Sequence, residues 1–165
     1  SASSLAENPS MLLDGNTAAK YLNFGEVNSR LIVVPQSGPS VVGGLQLWTA
    51  NDSPERDPTA FSLFGMNGAV DPNVINSQGD GAWTEIVSGL LNLPTDRLAA
   101  GDIFWFPNDQ SYDAYRFVVT AVRDEATANS MQISEFQLLI PEPSSCALIV
   151  LGGAMFASVS RRRRI

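Results

Sequence analysis

Ala114-Tyr115-Arg116-Phe117-Val118-Val119-Thr120-Ala121-Val122 is the stretch that sets the fold class. Tyr115, Phe117, Val119 and Ala121 alternate with Arg116, Val118 and Thr120. A two-residue period puts one set on each face of an extended chain, so the pattern predicts a strand with one face on a core. Leu45 and Leu47 oppose Gln46 and Trp48 in the same way. Outward from these, residues 31–34, 41–50, 59–64, 83–87, 103–106 and 131–140 are rich in β-branched or aromatic side chains. Each is bounded by Gly, Pro, Asn or Asp, as strands are. Gln36-Ser37-Gly38-Pro39, Asn51-Asp52-Ser53-Pro54, Asp71-Pro72-Asn73 and Gln78-Gly79-Asp80-Gly81 supply turns between them. Residues 10–20 and 88–93 have room for short helical turns at most. Seven or eight short strands at this spacing predict an all-β β-sandwich over residues 1–140.

The chain ends differently. Pro141-Glu142-Pro143-Ser144 is followed by an apolar run over residues 146–159, then Arg161, Arg162, Arg163, Arg164 and Ile165. About 14 apolar residues make ~21 Å of helix, short for a bilayer span, which takes ~20 residues. Four arginines behind it belong on the cytoplasmic side, which leaves residues 1–140 outside the cytoplasm. The chain starts at Ser1 with neither Met nor a charged-then-apolar leader, so it is expected to be a mature protein or a fragment.

The tripartite tail resembles the PEP-CTERM sorting signal of Gram-negative bacteria, with Pro141, Glu142 and Pro143 as its motif and Arg161 to Arg164 as its basic block. The resemblance implies a short hydrophobic helix over part of residues 141–165, transient contact with the inner membrane, and processing by an exosortase-type enzyme. It also implies a cell-surface or extracellular destination, often beside exopolysaccharide.

Charge and composition narrow the chemistry. The chain has 10 Lys+Arg and 17 Asp+Glu; four arginines and one glutamate lie in the tail, so residues 1–140 hold 6 basic and 16 acidic groups, a net charge of −10. Such a domain repels a phosphate backbone, and nucleic acid is excluded as a partner. The absence of His removes the commonest general base and zinc ligand. The one cysteine, Cys146, is in the apolar tail, so neither a disulfide nor a thiol nucleophile is expected in the domain. Acid–base chemistry is left to carboxylates, and a glycosidase needs two of them in defined geometry.

A second resemblance runs through the domain. Leu12-Leu13-Asp14-Gly15-Asn16, Lys20-Tyr21-Leu22-Asn23-Phe24, Gly44 to Asp52, Pro54-Glu55-Arg56-Asp57-Pro58, Phe61-Ser62-Leu63-Phe64-Gly65, Trp83-Thr84-Glu85-Ile86, Tyr112 to Phe117 and Met131 to Leu138 fall in order. Together they resemble the discoidin-like, galactose-binding-like jelly rolls. The resemblance implies an eight-stranded antiparallel sandwich, with carbohydrate-binding modules and adhesion domains among its kin. It also implies a structural Ca2+ joining the first loop to the last strand, with Asp14, Asn16, Thr17 and Glu135 as ligands. Asp14-Gly15-Asn16 suits this on its own chemistry, since calcium takes six to eight hard oxygens on a tightly turned loop. The family often has Ser or Thr where this chain has Ala19. The other reading is an ordinary Asp-Gly turn with Glu135 as a solvated charge.

Two further segments stand out. Residues 51–58, with four charges and two prolines, are a loop in which Arg56 and Asp57 are expected to serve structure as an ion pair at least half buried. Sugar binding takes an exposed aromatic flanked by amides or carboxylates, and Trp105, Asn108, Asp109 and Tyr112 are the candidates. Trp105 has a core reading as well, because residues 103–106 pattern as a buried strand, and Trp48 and Trp83 read as packing residues. The expected function is a noncatalytic surface module that recognises glycan or matrix polymer. A structural or adhesion protein with protein partners is the alternative, and a carboxylate-dependent hydrolase ranks below both.

Overall fold

The computed structural model describes residues 7–71 and 79–141. It is an all-β sandwich of nine strands in which every ladder is antiparallel. Strands β1 (Tyr21–Asn23), β2 (Arg30–Val33), β3 (Gly44–Trp48), β4 (Pro58–Met66) and β5 (Thr84–Leu90) are followed by β6 (Phe104–Trp105), β7 (Ala114–Val122), β8 (Met131–Ile133) and β9 (Glu135–Leu139). Helical structure among the described residues is confined to 3-10 turns at Pro9–Leu12, Pro54–Arg56 and Asp80–Ala82. None of these is long and apolar enough to cross a membrane. The helix expected in the tail, with Glu142, Pro143 and the four arginines, falls outside the described residues.

One sheet has the order β2-β7-β4-β5, a second the order β6-β3-β9, and β1 pairs with β8 beside them. Strand β7 has the predicted boundaries and sits inside its sheet, between β2 and β4. Tyr115, Phe117 and Val119 face the core, as the alternation requires. The other face is not open, however. Arg116 and Val118 are buried as well, because the Arg116 guanidinium lies between the rings of Phe64 and Trp83, 4.8 Å from each centroid. A cation held by two ring faces gives that outer surface a cover of its own.

Aromatic contacts lock the two sheets together. Phe117 of β7 meets Phe136 of β9 at 4.9 Å between centroids, and Phe61 of β4 meets Phe104 of β6 edge-on at 5.1 Å. Leu45 and Leu47 of β3 complete the middle of the core. The predicted strand over 131–140 is in fact two strands, β8 and β9, divided at Ser134. Ser134 directs its hydroxyl to the Thr49 carbonyl (2.9 Å), so the chain changes partner there, from β1 to β3.

The loop at 51–58 is structural, with different partners from those expected. Asp57 is fully buried and takes two bonds from Arg97, Nη1 to Oδ1 at 2.9 Å and Nη2 to Oδ2 at 2.6 Å. Arg123 adds a third at 3.2 Å. Arg56 instead lies 3.8 Å from Glu55. Donating to Asp57 holds the pKa of the Arg97 guanidinium above its usual range. This clamp ties three connections together at one end of the sandwich and gives β3, β4 and β7 a fixed frame.

Candidate functional site

Strand β3 alternates Leu45 and Leu47 toward the core with Gly44, Gln46 and Trp48 on the outer face of the three-stranded sheet. Trp105 on β6 and Leu139 on β9 stand in register with Gly44, one on each side of it. Gln137 stands opposite Gln46, and Glu135 opposite Trp48. Phe104 turns into the core, so Trp105 turns out, and it is 61% exposed.

That exposure does not leave the ring free. A Cβ placed on Gly44 would meet the Trp105 indole carbons at 2.7 and 2.9 Å, so the ring rests on the bare backbone of β3. An exposed aromatic already pressed into place loses little side-chain freedom when a ligand lands on it. Trp48 is half buried, and Trp83 is buried against Arg116, in line with its packing role.

The other candidates near Trp105 sit differently. Asn108 is spent on its own loop, where Nδ2 donates to the carbonyls of Val42 (2.9 Å) and Gln110 (3.1 Å). Asp109 is exposed and takes a bond from Gln110 Nε2 at 3.0 Å. Tyr112 packs over Gly65 of β4 and edge-on to Tyr115, 5.9 Å between centroids, against the four-stranded sheet. Trp105 is thus the aromatic of the set that presents an open face. Gly44, Gln46 and Gln137 were not singled out from the sequence, although the alternation through Leu45 and Leu47 already places Gln46 on the outer face.

The first loop does reach the last strand. Gly15, at φ +73°, donates its N–H to Glu135 Oε2 at 3.1 Å across 120 residues of sequence. Asp14 Oδ1 accepts from Asn16 N–H (2.8 Å), and Asn16 Oδ1 from Ala18 N–H (3.1 Å). Glu135 is buried, and burial followed by the nearby Asp14 charge holds its carboxyl above the ordinary range. The carboxylates of Asp14 and Glu135 and the amide oxygen of Asn16 are the donor types that a hard cation takes. Thr17 is half buried beside them in sequence. No cluster of three or more acidic, His or Cys side chains occurs among the described residues, so such a site rests on backbone oxygens as much as on charge. A cavity of about 360 Å³ opens beside Glu135, lined mainly by apolar groups of Leu13, Val33, Pro35, Phe136 and Ile140.

No known family profile matches the chain, and no curated relative does. Solved structures do. A family 32 carbohydrate-binding module from a family 31 glycoside hydrolase of Clostridium perfringens superposes with a TM-score of 0.63 at 11% identity, covering 86% of this chain and 87% of that one. The family 32 module of C. perfringens NanJ, solved in complex with galactose, gives 0.59 at 10% identity, covering 84% and 88%. A chitosan-binding module from a chitosanase/glucanase of Paenibacillus sp. IK-5 gives 0.56 at 14%, covering 82% and 87%. At identities this low, what is shared is the fold: a discoidin-like, galactose-binding-like sandwich.

Proposed function

We propose that this protein is a noncatalytic carbohydrate-binding module displayed outside the cell, with Trp105 as the platform on which a sugar ring stacks. The observation that carries the reading is the open indole fixed over Gly44. A sugar's C–H face packs on such a ring, and neighbouring amides serve its hydroxyls, which are the elements of most ligand sites. The fold supports the reading too, since the similar structures are themselves carbohydrate-binding modules, one of them holding galactose. The tail motif from Pro141 and the acidic domain agree with delivery through an exosortase-type system to the surface or matrix. A structural Ca2+ at Asp14 and Glu135, with Asn16 and Thr17 adding oxygens, belongs to the same reading; when bound, it would neutralise two carboxylates that the fold brings near each other.

The test is a panel of immobilised neutral glycans probed with the full chain, with release of reducing ends followed alongside. Retention on one or more glycans without new reducing ends supports a binding module. Turnover supports the hydrolase reading instead, and calcium-dependent self-association without sugar retention supports the adhesion reading.

A further inference from the structure

We infer that the ligand is an internal stretch of a neutral polysaccharide chain, lying across the outer face of the β6-β3-β9 sheet, rather than a single terminal sugar held in a loop pocket. This rests on the carbohydrate-binding reading above and specifies its ligand class.

Shape and charge both point to such a ligand. Trp105 sits on a sheet face over Gly44, with the Leu139 side chain on the far side of that glycine. From there the face continues to Leu139 in the same row, to Gln46 and Gln137 in the next, and to Trp48 at the far end of β3. Strands lie ~4.8 Å apart and same-face neighbours ~6.8 Å apart along a strand, so the row of Gly44 and the row of Trp48 are about 13 Å apart. That is longer than one sugar ring, and both ends carry an indole. A terminal sugar needs walls that read its whole outline, whereas a sheet face contacts one side of what lies on it; Gln137 stands where this face borders the cavity beside Glu135.

The polar groups point to a neutral partner. Gln46 and Gln137 present amides, which both donate and accept, as a polyhydroxyl chain requires. Gln46 spends its Nε2 on the Gly101 carbonyl at 2.9 Å, which fixes its side chain, while Gln137 is exposed. The one charged side chain in these rows, Glu135, is buried against the Gly15 loop. Among the described residues of these rows the exposed side chains are uncharged, on a domain whose 16 acidic and 6 basic groups repel an anionic polymer. A neutral chain is the partner that such a surface admits.

The experiment is calorimetric titration of the full chain with neutral β-linked gluco- and galacto-oligosaccharides of two, four and six units, repeated with Gln137→Ala and Trp48→Phe. The expected result is affinity that rises about tenfold from two to six units, with Gln137→Ala lowering the six-unit affinity about fivefold and sparing the two-unit one, as loss of one hydrogen bond would. Equal affinity at all lengths, unaffected by Gln137→Ala, overturns the extended-chain assignment and leaves sugar binding in place. No binding to any glycan removes the reading beneath it as well. Self-association that Gln137→Ala or Trp48→Phe abolishes, without response to sugar, assigns the face to a second copy of the chain and overturns the proposal.

Discussion

The Trp105 indole lies directly on Gly44, so the most exposed tryptophan surface of the molecule is held by the one position of β3 that has no side chain. Glycine here is a matter of space, because a methyl group at Gly44 would stand 2.7 Å from the ring.

Gly44→Ala is expected to lift the indole off the strand. Overpacking of this kind costs about 1–3 kcal/mol, so the melting temperature should fall by several degrees while the protein still folds. Glycan affinity should fall further than stability does. Near-ultraviolet circular dichroism and a glycan titration on the same sample separate the two; unchanged affinity would mean that the ring's placement does not matter.

Asp57 predicts a larger loss. Asp57→Ala leaves Arg97 and Arg123 without the carboxylate that both bind, and breaking a buried ionic cluster from one side costs about 3–5 kcal/mol. Arg56→Ala, whose nearest carboxylate is 3.8 Å away, should cost well under half of that. Urea midpoints of the two variants check this ordering, and equal losses would contradict the assignment of partners.

That pair shows where sequence legibility ended. Arg56 and Asp57 are neighbours, and adjacency suggested a pair, yet Arg56 closes the 3-10 turn while Asp57 leaves it in extended conformation. The true partner is 40 residues away on a connection that only the folded sheets bring near. Alternation located both ends of β7 and placed β3 to within three residues, because burying one face imposes a period, and β-branched and aromatic content placed β4 to within two. It could not locate β1, three residues long, nor the break at Ser134, since a change of pairing partner leaves no mark on hydrophobic pattern. Trp105 had two readings for a related reason: on a two-residue strand, one residue in either direction decides between core and surface.

Tyr115 supplies the pH dependence. Its hydroxyl donates to the Ser40 carbonyl and accepts from Val42 N–H at 3.2 Å, and burial raises its pKa above the ordinary 10.0. The folded protein then holds this proton more tightly than the unfolded chain, so stability falls as pH climbs past 10.0 toward the raised value and is unaffected below. Tyr115→Phe should reduce the alkaline slope, with Tyr21, also raised by burial, keeping the rest. At neutral pH the same substitution leaves Val42 N–H unpaired and should cost about 1–3 kcal/mol.

Calcium removal tests the first loop. With metal bound at Asp14 and Glu135, excess EGTA should lower the melting temperature of the wild type and leave Asp14→Ala and Glu135→Ala unmoved. A wild-type transition indifferent to both calcium and chelator would reduce the Gly15–Glu135 contact to a plain loop tether.

The most direct measurement is isothermal titration of the full chain and of Trp105→Ala with the glycan best retained on the panel. Trp105 is exposed, so the variant should keep its melting temperature. The account predicts saturable binding by the wild type and a loss of about tenfold or more in the variant, the worth of a stacked aromatic face. Equal affinity in a folded Trp105→Ala protein would contradict it.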